Sequence, residues 1–158
     1  MTSLKLDQST LSKTSSSYIM SSGGQTTRAR GFALVHINKQ YVLILGTKDK
    51  QWMVKTPTMP TDWFKLAFTW KNDGDLKLYI NGKMVASGKP TNVPRGKDEF
   101  TTLTVGRPNN SNTNKYRLGL EVHNVALWES ALSDQQIVDI MKSGELLNIN
   151  LDGNEKEG

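Results

Sequence analysis

The residue types that most often carry out chemistry are scarce in this chain of 158 residues. It has no cysteine, which excludes disulfides, cysteine zinc sites and a cysteine nucleophile, and its two histidines argue against a multi-histidine metal site. A glycosidase needs two carboxylates across a cleft, but Glu121 has no acidic residue two or four positions away. His36 and His123 fall on predicted strands, outside any Ser-His-Asp pattern. We therefore expect no enzymatic activity.

The charge balance points instead to binding. Lysine and arginine total 20 against 15 acidic residues, which gives a net charge of +5 and favours acidic partners. Trp63, Lys65, Lys77, Tyr79 and Lys83 would share one outer face of a sheet, an arrangement that can stack nucleic-acid bases. Alternation places lysine outward in any half-solvated sheet, however, so we predict no nucleic-acid partner. No run of 18 apolar residues is present, so we predict no membrane span.

The sequence predicts that the secondary structure positioning such residues is mainly β-strand. Polar and apolar residues alternate with period two, which is typical of a half-solvated antiparallel sheet. The clearest predicted strands are Gly31–Ile37, Gln40–Leu45, Gln51–Lys55, Trp63–Trp70, Leu76–Ile80, Lys83–Ala86, Phe100–Gly106 and Tyr116–Trp128. Their apolar positions predict one core containing Phe64, Leu66, Phe68, Trp70, Leu76, Leu78, Ile80 and Leu127, with Trp70 and Trp128 as its large inter-sheet side chains.

Two local signals are specific. Asn81-Gly82 between two strands predicts a two-residue hairpin, because both central residues of a type I′ turn need positive φ. Near the end of the chain, Ser133 is followed three residues later by Gln136, which is a capping box. It predicts one short helix that buries Ile137, Ile140 and Met141 on one face.

Four segments in this order resemble the laminin-G/pentraxin-like modules of the concanavalin A-like superfamily: Trp63–Trp70 (WFKLAFTW), Leu76–Lys83 (LKLYINGK), Leu103–Arg107 (LTVGR) and Val125–Ser133 (VALWESALS). The resemblance covers roughly residues 18–144. It implies an all-β antiparallel jelly-roll sandwich with one short C-terminal helix at an edge. It also implies an extracellular or cell-surface protein that binds glycans, lipids or proteins, often through calcium.

The resemblance also implies where a ligand would bind. If two loops meet at one rim, as they do in the family, three arginines converge there and can bind an anion such as a sulfated glycan through paired hydrogen bonds. The predicted ligand-binding residues are Arg28, Arg30, Arg107, Asn109 and Asn110. The alternative is that the arginines are solvated or paired with acidic neighbours.

Calcium fits this rim poorly. Ca²⁺ prefers anionic oxygens, and the early loop that would supply them contains no carboxylate. We therefore predict no cofactor, with a single calcium ion at Asn109, Asn110, Asp73 or Asp75 as the alternative. The competing explanation is that these residues only hydrogen-bond their own turns.

The sequence thus predicts one recognition module at residues 1–151, lacking the first strands of its family, and a flexible acidic tail at residues 152–158. We expect an exposed apolar strand near Ser17–Ser22 or Phe32–Ile37 as a result. The chain as given shows no signal peptide. The predicted role is non-catalytic extracellular adhesion or recognition of a glycan or protein, within a larger protein. The alternative is a carbohydrate-binding module, or inactive relative, of a glycoside hydrolase.

Overall fold

The computed structural model describes residues 1–13, 15–23, 29–96, 102–108 and 116–143. Within them the chain forms ten strands and two helices. The strands are β1 (Thr2–Leu6), β2 (Ser16–Ser22), β3 (Gly31–Ile37), β4 (Gln40–Gly46), β5 (Gln51–Thr56), β6 (Phe64–Thr69), β7 (Leu76–Ile80), β8 (Lys83–Gly88), β9 (Thr104–Val105) and β10 (Leu120–Val125). The helices are α1 (Gln8–Leu11) and α2 (Asp134–Ser143).

The strands form two antiparallel sheets, which confirms the predicted sandwich. The first sheet has the order β10-β1-β6-β7-β8, and the second has the order β5-β4-β3-β2-β9. The β7–β8 hairpin turns at Asn81 and Gly82, whose φ angles are 50° and 80°, as the Asn-Gly signal predicts. The β3–β4 hairpin also turns through two residues with positive φ, Asn38 at 50° and Lys39 at 63°.

The inward faces of the two sheets form the main core. It contains most of the predicted residues, including Phe64, Leu66, Leu76, Leu78 and Ile80, while Phe68 and Trp70 are partly buried against it. Trp52 is fully buried there, and its indole N–H donates to the carbonyl oxygen of Gly74 at 2.9 Å.

The prediction for Leu127 is wrong, since this side chain is 71% exposed. Leu127 lies after β10, where the chain leaves the extended conformation, so period-two alternation no longer decides which way a side chain points. Trp128 packs outside the sandwich, against the cluster beneath α2, rather than between the sheets.

Helix α2 covers part of the outer face of the first sheet. Ile137, Ile140 and Met141 are buried against Ala67 and Tyr79, which alternation alone would leave half solvated. The helix therefore packs on the face of the sheet over β6 and β7, and not at an edge. Its capping box forms as predicted, with Ser133 Oγ accepting from the Gln136 backbone N–H and Gln136 Oε1 accepting from the Ser133 N–H.

The predicted exposure of β2 and β3 is also wrong. Ile19, Met20 and Leu34 are buried in the main core, and Val35 is buried in a separate cluster with Ala33 and Val42. The backbone of β2 is paired on both sides, by β3 and by β9. The described part of strand Phe100–Gly106 is short, and Phe100 lies outside the described residues. The tail at residues 152–158 lies outside them too.

Candidate functional site

A groove of about 710 Å³ opens on the outer face of the first sheet, beside the C-terminal end of α2. We call it the Trp63 groove. Its principal side chains are Trp63, Lys65, Lys83, His123, Met141 and Lys142. They come from the approach to β6, from β6, β8 and β10, and from the helix.

Strand register brings the floor of the groove together. Ser3 pairs with His123 on one side and with Lys65 on the other, so residues from β10, β1 and β6 form one row across the sheet. The row continues to Asn81, whose side-chain oxygen accepts from the Lys65 backbone N–H at 2.8 Å. Residues far apart in sequence thus share one face because their strands are neighbours.

The wall of the groove is the last turn of α2, held by two polar contacts. The Lys65 ammonium donates to the carbonyl oxygen of Met141, and the Gly82 N–H donates to the Met141 sulfur at 2.7 Å. A lysine at a helix C-terminus satisfies a free carbonyl and opposes the negative end of the helix dipole. Lys65 is therefore used structurally, which leaves the exposed Lys83 and Lys142 as ammonium groups for a ligand.

Trp63 is the large apolar surface of the groove. Its side chain is 45% exposed, and its backbone N–H donates to Asp62 Oδ1 at 2.8 Å. An exposed indole beside two lysines and a histidine gives a flat surface with positively charged edges. Such a surface can stack against a sugar ring and attract an acidic substituent.

Two carboxylates lie near the groove, on either side of Lys5. Its ammonium is 4.0 Å from Asp62 and 3.9 Å from Glu121. Sequence spacing left Glu121 without an acidic neighbour, because Asp62 is 59 positions away along the chain and shares Lys5 with it only in the folded structure. Both carboxylate side chains are largely exposed, at 85% and 67%.

The predicted arginine rim is only partly described, since Arg28, Asn109 and Asn110 lie outside the described residues. Arg30 comes just before β3 and Arg107 just after β9, so they flank β2 from its two sides. Arg107 is exposed. The Nε of Arg30 is buried and has no hydrogen-bond partner among the described residues.

The carboxylates considered for calcium are already bonded to protein groups. Asp73 forms an ion pair with Lys50 at 2.9 Å, and Asp75 accepts from the Ser87 hydroxyl at 3.1 Å. In the described ranges no three His, Asp or Glu side chains come together as a metal-binding group. Ca²⁺ needs several free anionic oxygens, and the other two candidates, Asn109 and Asn110, lie outside the described residues.

The residues expected together on one outer face include Lys77, Tyr79 and Lys83, and the structure divides these three between two roles. Lys77 and Tyr79 both bind Asp134 at the start of α2, at 2.8 and 2.7 Å. These bonds fix the helix to the sheet. Lys83 lines the groove instead. The sequence offered a signal for Trp63 and Lys83, but none for the helical wall that makes them part of a concave site.

Comparisons with known proteins agree with this fold. A family model described as the concanavalin A-like lectin/glucanases superfamily matches residues 4–138. Comparison with curated proteins gives no match. In the described residues, no helix is long and apolar enough to cross a membrane.

Solved structures similar to the chain include binding domains of botulinum neurotoxins. The serotype D binding domain matches with a TM-score of 0.68 and 20% identity, over 90% of this chain and 35% of that one. The serotype C1 binding domain matches with a TM-score of 0.62 and 16% identity, over 91% of this chain and 35% of that one. The chain thus spans about a third of the length of these structures, and at this identity the likeness concerns the fold.

Proposed function

Because the chain belongs to the concanavalin A-like lectin/glucanase superfamily, we propose that it is a non-catalytic recognition module that binds a glycan in the Trp63 groove. The observation that carries the proposal is the 45% exposed indole of Trp63 in a groove of about 710 Å³. Ligand sites are concave and combine apolar surface with a few polar groups. The groove has that composition and is large enough for one or two sugar rings.

The charge of the groove favours acidic glycans. Lys83 and Lys142 are exposed at its edge, and none of the described residues that line it is acidic. Sulfate or carboxylate groups on a bound sugar would meet these ammonium groups directly. A glycan ligand of this kind suits a module that acts outside the cell, and we extend the proposal to an extracellular or cell-surface role in a larger protein.

The arginine rim is a separate part of the proposal. Arg30 is partly exposed, which supports it as a contact for an anion, whereas its Nε is buried with no hydrogen-bond partner in the described part of the chain. Arg107 is exposed on the other side of β2, so it would contact the same ligand only if that ligand crosses β2. We propose no calcium ion at Asp73 or Asp75, since each already has a protein partner.

Asp62 and Glu121 make a glycosidase the second candidate function. Both lie within about 4.0 Å of one lysine nitrogen, so they can approach one another. A glycosidase needs one carboxyl group kept protonated by apolar surroundings. Both groups are instead largely exposed beside an ammonium, which is why we propose binding rather than catalysis.

The test compares Trp63→Ala with Met53→Ala, a control for loss of an exposed apolar side chain on the other sheet. Met53 is 42% exposed and lies away from the groove. Calorimetric titrations use a heparin-derived octasaccharide and its desulfated form. We expect Trp63→Ala to weaken binding of both about tenfold, as loss of a central aromatic contact does, while Met53→Ala leaves both unchanged.

Three outcomes would contradict the proposal. Equal affinities of Trp63→Ala and the parent protein would show that the groove is not the binding site. Absence of binding by the parent protein to either saccharide would remove these glycans as its ligands. Cleavage of either saccharide that stops in Glu121→Gln would favour the glycosidase instead.

A further inference from the structure

A second cavity, of about 550 Å³, lies at one end of the sandwich. We call it the His36 pocket. It is formed by α1 and the residues after it, together with the β3–β4 hairpin. It shares no residue with the Trp63 groove.

Two aromatic rings form one wall of the His36 pocket. His36 and Tyr41 face each other across the β3–β4 pair, with ring centroids 4.9 Å apart and tilted by 48°. The Nδ1 of His36 is buried and has no hydrogen-bond partner within the described ranges. Because that atom is closed to water and to a ligand alike, a ligand can contact His36 only through the partly exposed remainder of its ring.

Positive charge and small polar groups line the opening of the pocket. Lys13 and Lys39 are exposed at its edge. Gln8, Ser12, Ser15 and Asn38 supply amide and hydroxyl groups, and the lining contains no acidic side chain within the described ranges. Neither lysine forms an ion pair with another described residue. The pocket therefore offers hydrogen bonds for hydroxyls and two free ammonium groups for an anion.

The conformation of Lys39 is an independent observation. Lys39 has a φ of 63° at the second position of a two-residue hairpin turn. The chain has another turn of this kind, where the same position is Gly82, with a φ of 80°. Glycine adopts positive φ without strain and lysine does not. The fold thus carries a costly lysine at the edge of a pocket, and strained residues of this sort cluster at functional sites.

We propose that the His36 pocket is a second glycan site, which binds a saccharide unit carrying a sulfate or carboxylate group through Lys13 and Lys39. The sugar hydroxyls bond the polar rim, and the apolar face of the sugar meets the His36 and Tyr41 rings. Burial lowers the pKa of His36, so its ring is neutral at neutral pH and does not add to the charge of the pocket. The site extends the proposed function but does not depend on the Trp63 groove.

The decisive variant is Lys39→Gly, because this substitution should raise the stability of the fold and at the same time lower the affinity for the ligand. Glycine relieves the strain at positive φ, so the melting temperature should rise by about 2–4 °C. Loss of the ammonium group should at the same time weaken binding of a sulfated heparin disaccharide about fivefold. Lys13→Gln should weaken the same binding without raising the melting temperature. Lys48→Gln is the control, since it removes an exposed lysine away from both cavities.

The titrations are done in the Trp63→Ala background as well as in the parent protein. Loss of binding at the Trp63 groove and loss of binding at the His36 pocket are then measured separately. The probes are the sulfated disaccharide, an unsulfated uronic acid disaccharide, a neutral disaccharide and inorganic sulfate. We expect binding of both acidic disaccharides and at least tenfold weaker binding of the neutral one and of inorganic sulfate.

Four results would overturn the proposal. The first is unchanged affinity in Lys39→Gly, and the second is a fall in its melting temperature. The third is equal loss of affinity in Lys48→Gln, which would indicate a general charge effect. The fourth is binding of inorganic sulfate as tight as that of the sulfated disaccharide, which would reduce the pocket to an anion site without sugar recognition.

Discussion

Packing of α2 on the outer face of the first sheet predicts a large cost for Ile140→Ala. Ile140 is 1% exposed and lies in a cluster with Ala67 and Tyr79. The substitution removes three carbons, and at about 0.8 kcal/mol for each buried carbon the loss of transfer free energy is about 2.4 kcal/mol. The cavity left behind raises the total to about 3 kcal/mol. That is a large fraction of the free energy of unfolding of an ordinary domain, which is about 5–15 kcal/mol.

The assay is urea unfolding followed by tryptophan fluorescence, with the free energy of unfolding extrapolated to water. Leu127→Ala is the matched control, because it also shortens an aliphatic side chain but at a site that is 71% exposed. We expect the control to change stability by less than about 0.5 kcal/mol. A small effect of Ile140→Ala together with a large effect of Leu127→Ala would refute the placement of the helix and restore the core predicted from alternation.

Two further perturbations test the contacts that hold the helix and the hairpin. Two hydrogen bonds, chiefly the one from Lys77 and then the one from Tyr79, hold the pKa of Asp134 below its usual value of 3.8. The ionised carboxylate therefore stabilises the fold above pH 3.8, and this contribution is lost as the pH falls through the lower pKa of the folded state. Asp134 is 59% exposed, so Asp134→Asn should cost only about 1 kcal/mol at neutral pH. In acid-titrated thermal melts the difference from the parent should shrink as the pH falls below 3.8, and a pH-independent difference would contradict this account. Gly82→Ala introduces a side chain at a φ of 80°, where its Cβ would meet Val138 Cα and Met141 Cβ at ordinary contact distances of 3.8 and 3.9 Å. The cost of about 1–2 kcal/mol is therefore conformational and should lower the melting temperature by about 4 °C. An unchanged melting temperature would mean that the turn is not held in this conformation.

Local signals in the sequence were sufficient for the sheet, its hairpin and its helix. Period-two alternation in Phe64–Thr69 and Leu76–Ile80 depends on strand geometry alone, so it predicted the inward-facing side chains correctly. The Asn81-Gly82 turn and the Ser133–Gln136 capping box are short-range patterns whose bonds form within a few residues. Each of these features could be predicted because its cause lies within a few positions along the chain.

Contacts between segments that are distant in sequence determine which outer-face side chains are buried and where grooves form. Alternation placed Tyr79 outward correctly, but its burial follows from α2, which begins 55 residues later with the Asp134 that binds it. The same packing makes the Trp63 groove, since Met141 and Lys142 form its wall. Short α1, capped by Asp7, and the His36 pocket beside it had no counterpart in the sequence analysis. A sequence shows which residues can face outward, but a concave surface exists only when a second element is packed beside them.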